Sequence, residues 1–157
     1  MNKIKELPLR VGVGIILLNK NNKVFVGKRI DNPSSFWQMP QGGVDKEEKI
    51  YAAALRELKE ETSAISVKLI KELDSWYEYN LPKNLLGKIW KGKYRGQKQK
   101  WFVMKFTGDE AEINIKTKNP EFFKWKWVNP DELTNIVVKF KLELYKKIYK
   151  ELKKILN

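Results

Sequence analysis

One stretch of the sequence, Gly42 to Ala64, constrains the fold and the chemistry more than any other. Its glycine pair follows Pro40-Gln41, which indicates that a loop ends there. From about Glu47 onward the apolar residues recur at the i, i+3, i+4 and i+7 spacing of a helix that buries one face. Those residues are Tyr51, Ala54, Leu55 and Leu58. The stretch therefore predicts an amphipathic helix behind a glycine loop.

Three carboxylates occupy the largely opposite face of this helix, at the same i, i+3, i+4 spacing: Glu57, Glu60 and Glu61. Like charges at that spacing repel one another by roughly 0.2–0.5 kcal/mol per pair. Near the C-terminal end they also oppose the helix dipole. A solvated acidic face is the common interpretation of such a pattern. A divalent cation would instead remove the conflict, because Mg²⁺ and Mn²⁺ prefer hard oxygen ligands.

The complete spacing resembles the sequence motif of the Nudix hydrolase family. Gly42 is followed by five residues, Glu48, seven residues and then Arg56-Glu57-Leu58-Lys59-Glu60-Glu61. In that family the motif is a loop–helix–loop that holds catalytic Mg²⁺ or Mn²⁺ against a diphosphate. The resemblance implies that the three glutamates of the helix are metal ligands and catalytic residues.

The same resemblance implies roles for the residues around the helix. Glu48 and Arg56 would form an internal ion pair that orients the helix, and Gly42 with Gly43 would shape the loop that faces the phosphates. It also implies the fold, an α/β/α sandwich with a mixed β-sheet and a C-terminal helix.

The chain departs from the family pattern at Ser63 and Ala64, where Nudix proteins usually have a glycine and a bulky aliphatic residue. The glycine serves as a left-handed cap after the helix. Serine in that conformation would cost about 1 kcal/mol. We expect Ile65 to supply the missing aliphatic bulk. Because no ligand is altered, we expect a local stability cost and no loss of chemistry.

Other segments resemble one group within the family, the bacterial RNA pyrophosphohydrolases, which are closely similar to dinucleoside polyphosphate hydrolases. The likeness runs from Leu9 onward. Its most specific piece outside the motif is Gly96-Gln97-Lys98-Gln99-Lys100-Trp101-Phe102. The other segments are Trp37–Gly43, Tyr79–Pro82, Pro120–Phe122 and Lys139–Lys141.

This closer resemblance implies further site residues. Glu121 would help to bind metal or activate water, although the residue alone is an ordinary acid before an aromatic strand. Arg29 would hold the 5′ end of the substrate. Phe140 would stack on the first base, or else belong to the core of the last helix. Lys98 and Lys100 would reach phosphates, or else be solvated strand lysines. Any of Glu60, Glu61 and Glu121 could be the general base.

The composition excludes several kinds of catalysis. The chain has no cysteine and no histidine, which excludes a disulfide framework, a thiol nucleophile, a Ser-His-Asp triad and a His-ligated zinc site. Catalysis must then use carboxylates, lysine, tyrosine or metal-bound water. The formal net charge of +13 fits a polyanionic partner, although a lysine-rich genome would also produce it.

The 157 residues predict a single domain, residues 1–157, of the α/β class. Strands are predicted over 10–18, 23–29, 65–80 (one or two strands), 97–106 and 122–128, and helices from about 47, from 129 and over 139–156. Residues 1–9 would form an arm, Asn32-Pro33 a turn, and Glu112 to Ile115 could pair briefly. Leu81 to Arg95 would be a mobile loop near the phosphates or a solvated excursion.

The only long apolar run, Val11 to Leu18, is too short to span a bilayer and lacks a signal-peptide cleavage site. We expect a cytoplasmic monomer with no membrane partner.

Three functions remain open from the sequence. The first is metal-dependent removal of pyrophosphate from the 5′-triphosphate end of RNA, which would promote transcript decay. The second is hydrolysis of diadenosine tetra- to hexaphosphates with release of ATP. The third is a module that binds nucleotides without turnover, which the intact glutamate set disfavours. The charge of +13 weakly favours RNA.

Overall fold

A mixed six-stranded sheet forms the centre of the computed structural model, which describes residues 7–31 and 35–157. Its strands are β1 Leu9–Leu18, β2 Val24–Arg29, β3 Gln41–Gly43, β4 Val67–Asn80, β5 Gly96–Phe106 and β6 Phe122–Val128. They are ordered β4-β5-β1-β2-β6, and β3 pairs with β1 beside this path. Most of the expected arm and the expected Asn32-Pro33 turn lie outside the described residues.

The sheet is buried on both faces at its centre, where β1 and β5 pair in parallel. Alternate residues of β5 show this: Trp101 and Val103 belong to one core, and Phe102 and Met104 to the other. A strand that is covered on both sides is apolar throughout. That is why β1 contains the longest apolar run of the chain.

Three helices cover the two faces of the sheet: α1 Ile50–Thr62, α2 Leu133–Ile136 and α3 Leu142–Leu156. Helix α1 packs on one face through Ala54 and Leu58. Helix α3 packs on the other through Leu144, Tyr145, Ile148 and Leu152. The predicted α/β/α sandwich with a mixed sheet and a C-terminal helix is confirmed.

The first helix begins later than predicted, and its buried face is rotated from the predicted one while still including Ala54 and Leu58. Glu47 has φ +66°, which no right-handed helix contains, so α1 begins at Ile50. Tyr51, predicted on the apolar face, is 36% exposed, whereas Glu61, predicted on the opposite face, is only 4% exposed. The buried face of α1 therefore includes a carboxylate.

The helix ends at Ser63 as the sequence predicted, but the residues that follow it are placed differently from the prediction. Ser63 adopts the left-handed conformation with φ +67°, and its N–H donates to Lys59 O. The expectation that Ile65 supplies aliphatic bulk is wrong, because Ile65 is 66% exposed and Ala64 is buried in the core. The backbone N–H of Ile65 instead donates to the Glu112 carboxylate at 2.8 Å.

Two further boundaries differ from the predictions. The last helix does not start at Lys139: residues Lys139–Lys141 form one 3-10 turn, and α3 follows from Leu142. The brief pairing expected for Glu112 to Ile115 is absent from the described residues, where Glu110–Glu112 is a 3-10 turn. The helix start at Asn129 is present as a capping box with Glu132, in a 3-10 turn before α2.

The segment from Leu81 to Arg95 is held against the core. The Leu81 N–H donates to Arg95 O at 2.8 Å and closes the loop. Leu81 is buried, and Leu85, Ile89 and Trp90 pack on the α3 side of the sheet. The interpretation as a solvated excursion is therefore wrong. No helix of the described chain is long and apolar enough to cross a membrane.

Candidate active site

Arg56 fixes the position of α1 and of the carboxylates beside it. Its guanidinium donates to both oxygens of Glu48 at 2.8 and 2.9 Å and to Gly43 O at 2.9 Å. It also donates to Glu57 at 2.8 Å and approaches Glu60 at 3.2 Å. These hydrogen bonds from Arg56 lower the pKa of Glu48 to about 2. The expected Glu48–Arg56 ion pair is present, and it connects the glycine loop to the helix.

The two carboxylates that face inward are destabilised as anions. Burial raises the pKa of Glu61 well above its usual range, and the charges of Glu57 and Glu121 add to the effect. Burial also raises the pKa of Glu57, even though Arg56 opposes that shift. Such shifts indicate desolvated like charges in one place, which is common at functional sites.

Strand β3 brings the glycine loop directly onto these carboxylates. The Gln41 N–H donates to Glu61 Oε2 at 3.3 Å. A Cβ atom on Gly42 would overlap the Glu57 carboxylate. Gly43 lies against the guanidinium of Arg10, which also sits 5.2 Å from the centre of the Trp90 ring. The requirement for glycine at position 42 is thus steric, because the loop backbone and the acid are in contact.

Glu121 joins the same site from the start of β6, far away in sequence. Its carboxylate lies 4.0 Å from the Arg29 guanidinium, and its side chain is 47% exposed. Its backbone O accepts a hydrogen bond from Ile30 N–H at 2.9 Å. Arg29 is also paired with Asp31, and this pairing raises the pKa of Arg29.

The acidic cleft lies between α1 and the segment before β6 and has a volume of about 670 Å³. We define it by the lining residues Arg56, Glu57, Glu60, Glu61, Thr117 and Glu121. In residues 7–31 and 35–157 no three acids already form a complete metal-binding group. Arg56 holds Glu57 and Glu60, and Gln41 holds Glu61.

The donor set of the cleft nevertheless fits a hard divalent cation. Its ligands would be carboxylate oxygens, which Mg²⁺ and Mn²⁺ prefer. The raised pKa values of Glu57 and Glu61 indicate that the groups around them do not fully offset the burial of their negative charge. The Thr117 hydroxyl of the cleft is the one buried side-chain polar atom without a hydrogen-bond partner in the described chain. Such an atom fits a place where water or a ligand binds.

A second cavity, of about 580 Å³, adjoins the cleft on the α3 side of the sheet. We call it the aromatic pocket, and its lining includes Arg29, Trp37, Gln38, Gln41, Tyr79, Ile89, Trp90, Phe140 and Lys141. Phe140 and Tyr79 have ring centroids 5.8 Å apart. Because Phe140 precedes α3, it lines this pocket instead of belonging to the helix stripe.

Lys98 and Lys100 are not brought to either cavity. Both lie on the α1 face of β5, with their ammonium groups 5.7 and 5.8 Å from the Trp76 ring centre. Lys100 also donates to Asp74 O at 2.7 Å. Neither lysine lines the acidic cleft or the aromatic pocket. The predicted phosphate contacts therefore have no support in this geometry.

The glutamines that alternate with those lysines point to the site instead. Gln99 donates to the Gln41 side chain at 3.1 Å, and Gln97 donates to the Tyr79 hydroxyl at 3.0 Å. The signal was present in the sequence: Trp101 is a core residue, and side chains two and four positions away share its face of a strand. The segment contributes to the site through its other face.

Lys141 is a pocket residue that the sequence analysis missed. Its side chain is buried, and its ammonium lies 3.4 Å from Gln38 Oε1. Burial, with a contribution from Arg29, lowers the pKa of Lys141 to about 7. Its position three, four and seven residues before Leu144, Tyr145 and Ile148 indicates the buried face. Arg10 was also missed, and nothing local distinguishes it from other basic residues.

The profile of the NUDIX domain family matches residues 8–152 of the chain. A protein from Pelagibacter ubique (strain HTCC1062) named RNA pyrophosphohydrolase is 63% identical over 156 residues, covering 99% of this chain and 98% of the relative. One of the same name from Rickettsia typhi (strain ATCC VR-144 / Wilmington) is 47% identical over 156 residues, covering 99% and 97%.

Solved structures share the fold at low identity. The E. coli dihydroneopterin triphosphate pyrophosphohydrolase superposes with a TM-score of 0.71 at 19% identity, covering 92% of this chain and 99% of its own. A C. elegans Ap4A hydrolase in a binary complex superposes with a TM-score of 0.62 at 19% identity, covering 90% and 98%. These likenesses support the architecture and say nothing about the substrate.

Proposed function

The chain belongs to the Nudix hydrolase family, and we propose that it removes pyrophosphate from the 5′-triphosphate end of RNA and so promotes transcript decay. One observation carries the proposal. Gln41 donates its backbone N–H to the buried Glu61 carboxylate, while its side chain lines the aromatic pocket. A triphosphate in the acidic cleft would thus have its first nucleoside beside that pocket. The name shared by relatives at 63% and 47% identity supports RNA as the substrate.

Glu57, Glu60 and Glu61 would hold a divalent metal, which we propose to be Mg²⁺ or Mn²⁺. When bound, such an ion polarises phosphoryl oxygens, lowers the pKa of a coordinated water and offsets developing charge. Arg56 orients Glu57 and Glu60 from behind, through the hydrogen bonds it donates to both. Glu48 and Gly43 O in turn keep that guanidinium in place.

Glu121 is the carboxylate that we assign to accept the proton of the attacking water. Glu60 is held by Arg56, and Glu61 accepts the Gln41 N–H. Glu121 borders the cleft with about half of its side chain exposed, so it can exchange its proton with solvent. A general base must lie within hydrogen-bond reach of the water whose proton it accepts.

Cations on both sides of the cleft would bind the phosphates. Arg29 lies beside Glu121 at the boundary with the aromatic pocket. Arg10 lies against Gly43 on the other side of the glycine loop. A planar guanidinium can donate two parallel hydrogen bonds to a phosphate. Charge neutralisation at the leaving pyrophosphate would then come from the chain as well as from the metal.

The aromatic pocket would hold a base of the RNA. Phe140 and Tyr79 offer ring faces, and Gln38, Gln41 and Lys141 offer polar atoms around them. Stacking of a base on an aromatic ring contributes about 1–3 kcal/mol. We further propose that residues 1–157 form one domain, since one sheet supports both cavities, and that the protein acts as a cytoplasmic monomer.

The test compares substrates under one condition. Pure protein with Mg²⁺ is incubated in parallel with 5′-triphosphorylated RNA and with diadenosine tetra- and pentaphosphate. A higher kcat/KM for phosphate or pyrophosphate release from RNA supports the proposal. Dominant ATP release would make the protein a dinucleoside polyphosphate hydrolase, and tight binding without turnover a binding module.

Glu61→Gln is the matched variant for the same assay. It keeps the size of the side chain and removes the charge, so kcat is expected to fall by at least about a hundredfold, as is usual when a group that stabilises transition-state charge is lost. Circular dichroism and thermal unfolding check that the variant folds. A folded variant with near-normal activity would contradict the assignment of the metal site.

A further inference from the structure

A groove of about 600 Å³ lies along β6, outside both cavities of the active site. We call it the β6 groove. Its lining is aromatic, aliphatic and basic: Trp37, Ile113, Ile115, Lys116, Phe123, Lys124, Trp125 and Lys126, with Asn114. It contains three lysines and no carboxylate. In the described part of the chain no carboxylate is paired with Lys116, Lys124 or Lys126.

The groove lies next to the active site. Trp37 lines both the aromatic pocket and the β6 groove. Phe123 lies two residues after Glu121, and Lys116 directly precedes Thr117 of the acidic cleft. A chain that leaves the aromatic pocket therefore has a path past Trp37 into the groove.

Positive charge surrounds this point of exit. The Lys126 ammonium lies 4.4 Å and the Lys28 ammonium 5.0 Å from the Trp37 ring centre. Phe123 is 44% exposed next to them, at the irregular pairing of β6 with the end of β2. Exposed rings beside lysines are the features with which proteins hold single-stranded nucleic acid.

Lysines on an edge strand also protect a sheet from pairing with another chain, and β6 is such an edge. The opposite edge, β4, provides the comparison. It has Lys68 and Lys71 together with Glu72, Asp74 and Glu78, so its charges are mixed. Lysines alone can protect an edge, but the exclusively positive charge of β6, unlike the mixed charge of β4, also suits an anion.

We propose that the β6 groove binds the single-stranded RNA that follows the 5′-terminal nucleotides, so that the KM of the enzyme is lower for RNA long enough to reach the groove. Lys28, Lys116, Lys124 and Lys126 would neutralise phosphates, and Phe123 would stack on a base. Because the 5′ end of the same RNA must lie in the active site, this inference rests on the proposed function.

The experiment compares a 5′-triphosphorylated dinucleotide with an unstructured 5′-triphosphorylated RNA of about twelve nucleotides, which is within the size range of single-strand sites. The variant is Phe123→Ser/Lys124→Gln/Lys126→Gln. Its matched control on the other edge strand is Ile70→Ser/Lys68→Gln/Lys71→Gln, since Ile70 is 43% exposed and the charge change is equal. Wild type should show a lower KM for the longer RNA.

In the β6 variant the KM for the longer RNA should rise about tenfold, the size expected for one lost stacking contact. The slope of log KM against the logarithm of salt concentration should decrease by about 1.4. The variant removes two lysines, and each phosphate contact of a single strand contributes about 0.7 to that slope. The KM for the dinucleotide should not change, and the control should behave as wild type. Equal KM values for the two RNAs in wild type would overturn the proposal.

Direct binding separates this inference from the proposed function. If wild type hydrolyses neither RNA, the proposed function fails. Fluorescence anisotropy then measures the binding of an RNA of the same length with a 5′-hydroxyl. This measurement tests RNA binding by the groove independently of hydrolysis. Weaker binding by the β6 variant than by the control supports the groove as an RNA site. Equal binding by the two variants would leave edge protection or a protein partner as its role.

Discussion

Two buried charged side chains contact the segment Gln38–Gln41 and stand out at the scale of single residues. Glu61 is on α1 and accepts the Gln41 N–H, and Lys141 precedes α3 and contacts Gln38. Burial disfavours both charges: it raises the pKa of Glu61 and lowers the pKa of Lys141 to about 7. Unpaired buried charges are costly. A ligand with a positive group near Glu61 and a negative group near Lys141 would therefore offset the cost of both charges.

The lowered pKa of Lys141 predicts a pH dependence of stability. Below about pH 7 the lysine is charged in the folded and the unfolded chain, and the folded chain carries the full cost of burial. Between pH 7 and the unfolded pKa of 10.5 only the unfolded chain keeps the proton, so stability rises with pH.

Urea unfolding of wild type and Lys141→Met at pH 6 and pH 9 measures this effect. The stability advantage of the methionine variant should be larger at pH 6 than at pH 9 by roughly 2 kcal/mol. Lys147→Met, an exposed substitution in α3, is the control and should show no such difference. An advantage of Lys141→Met that is independent of pH would contradict the shifted pKa.

At the scale of elements, α1 is positioned by contacts at its two ends. The Arg56 network attaches its first half to the glycine loop. At its C-terminal end Ser63 takes the left-handed cap, and its hydroxyl donates to Asn114 O at 2.8 Å. Asn114 N–H in turn donates to Thr62 O. The serine therefore makes a contact that glycine lacks: it connects α1 to Asn114, which lines the β6 groove.

Substitutions at Ser63 separate backbone strain from this hydrogen bond. Ser63→Ala keeps the left-handed strain and loses the bond, so the free energy of unfolding should fall by about 1 kcal/mol. Ser63→Gly loses the bond but relieves a strain of about 1 kcal/mol, so it should remain close to wild type. Urea unfolding of the three proteins provides the measurement. Equal stabilities of the alanine and glycine variants would show that the cap is unstrained.

At the scale of the whole molecule, one sheet separates two cavities. The α1 face presents the acidic cleft, and the α3 face presents the aromatic pocket, with β3 between them. Glu61 is buried on α1 and also lines the acidic cleft. Its negative charge therefore destabilises the folded domain. Binding of a cation should thus be measurable as stability of the entire domain.

Thermal unfolding with and without Mn²⁺ or Mg²⁺ tests that coupling independently of activity. At a metal concentration about 100-fold above Kd, stabilisation of about 2.7 kcal/mol should raise Tm by at least about 5 °C. Without metal, Glu61→Gln should have a higher Tm than wild type, because it removes a buried negative charge. The metal-induced rise should shrink in that variant. An equal rise in both proteins would place the cation elsewhere.

The sequence by itself determined the features that depend on local spacing. The motif predicted the helix, the Glu48–Arg56 pair and the left-handed Ser63, because these contacts join residues close in the chain or fixed by one helix. Alternation and turn residues predicted β1, β2, β5 and β6 to within a residue or two. The roles of the site residues stay predictions.

Only the tertiary structure decided which faces meet. Parallel pairing of β1 with β5 and packing of α3 bring Gln97, Gln99 and Lys141 to the site and leave Lys98 and Lys100 beside Trp76. Glu61 became buried because α1 packs through a face rotated from the one that its apolar residues predict. The physical reason is common to these cases: local periodicity fixes what a segment becomes, whereas long-range packing fixes what each of its faces touches.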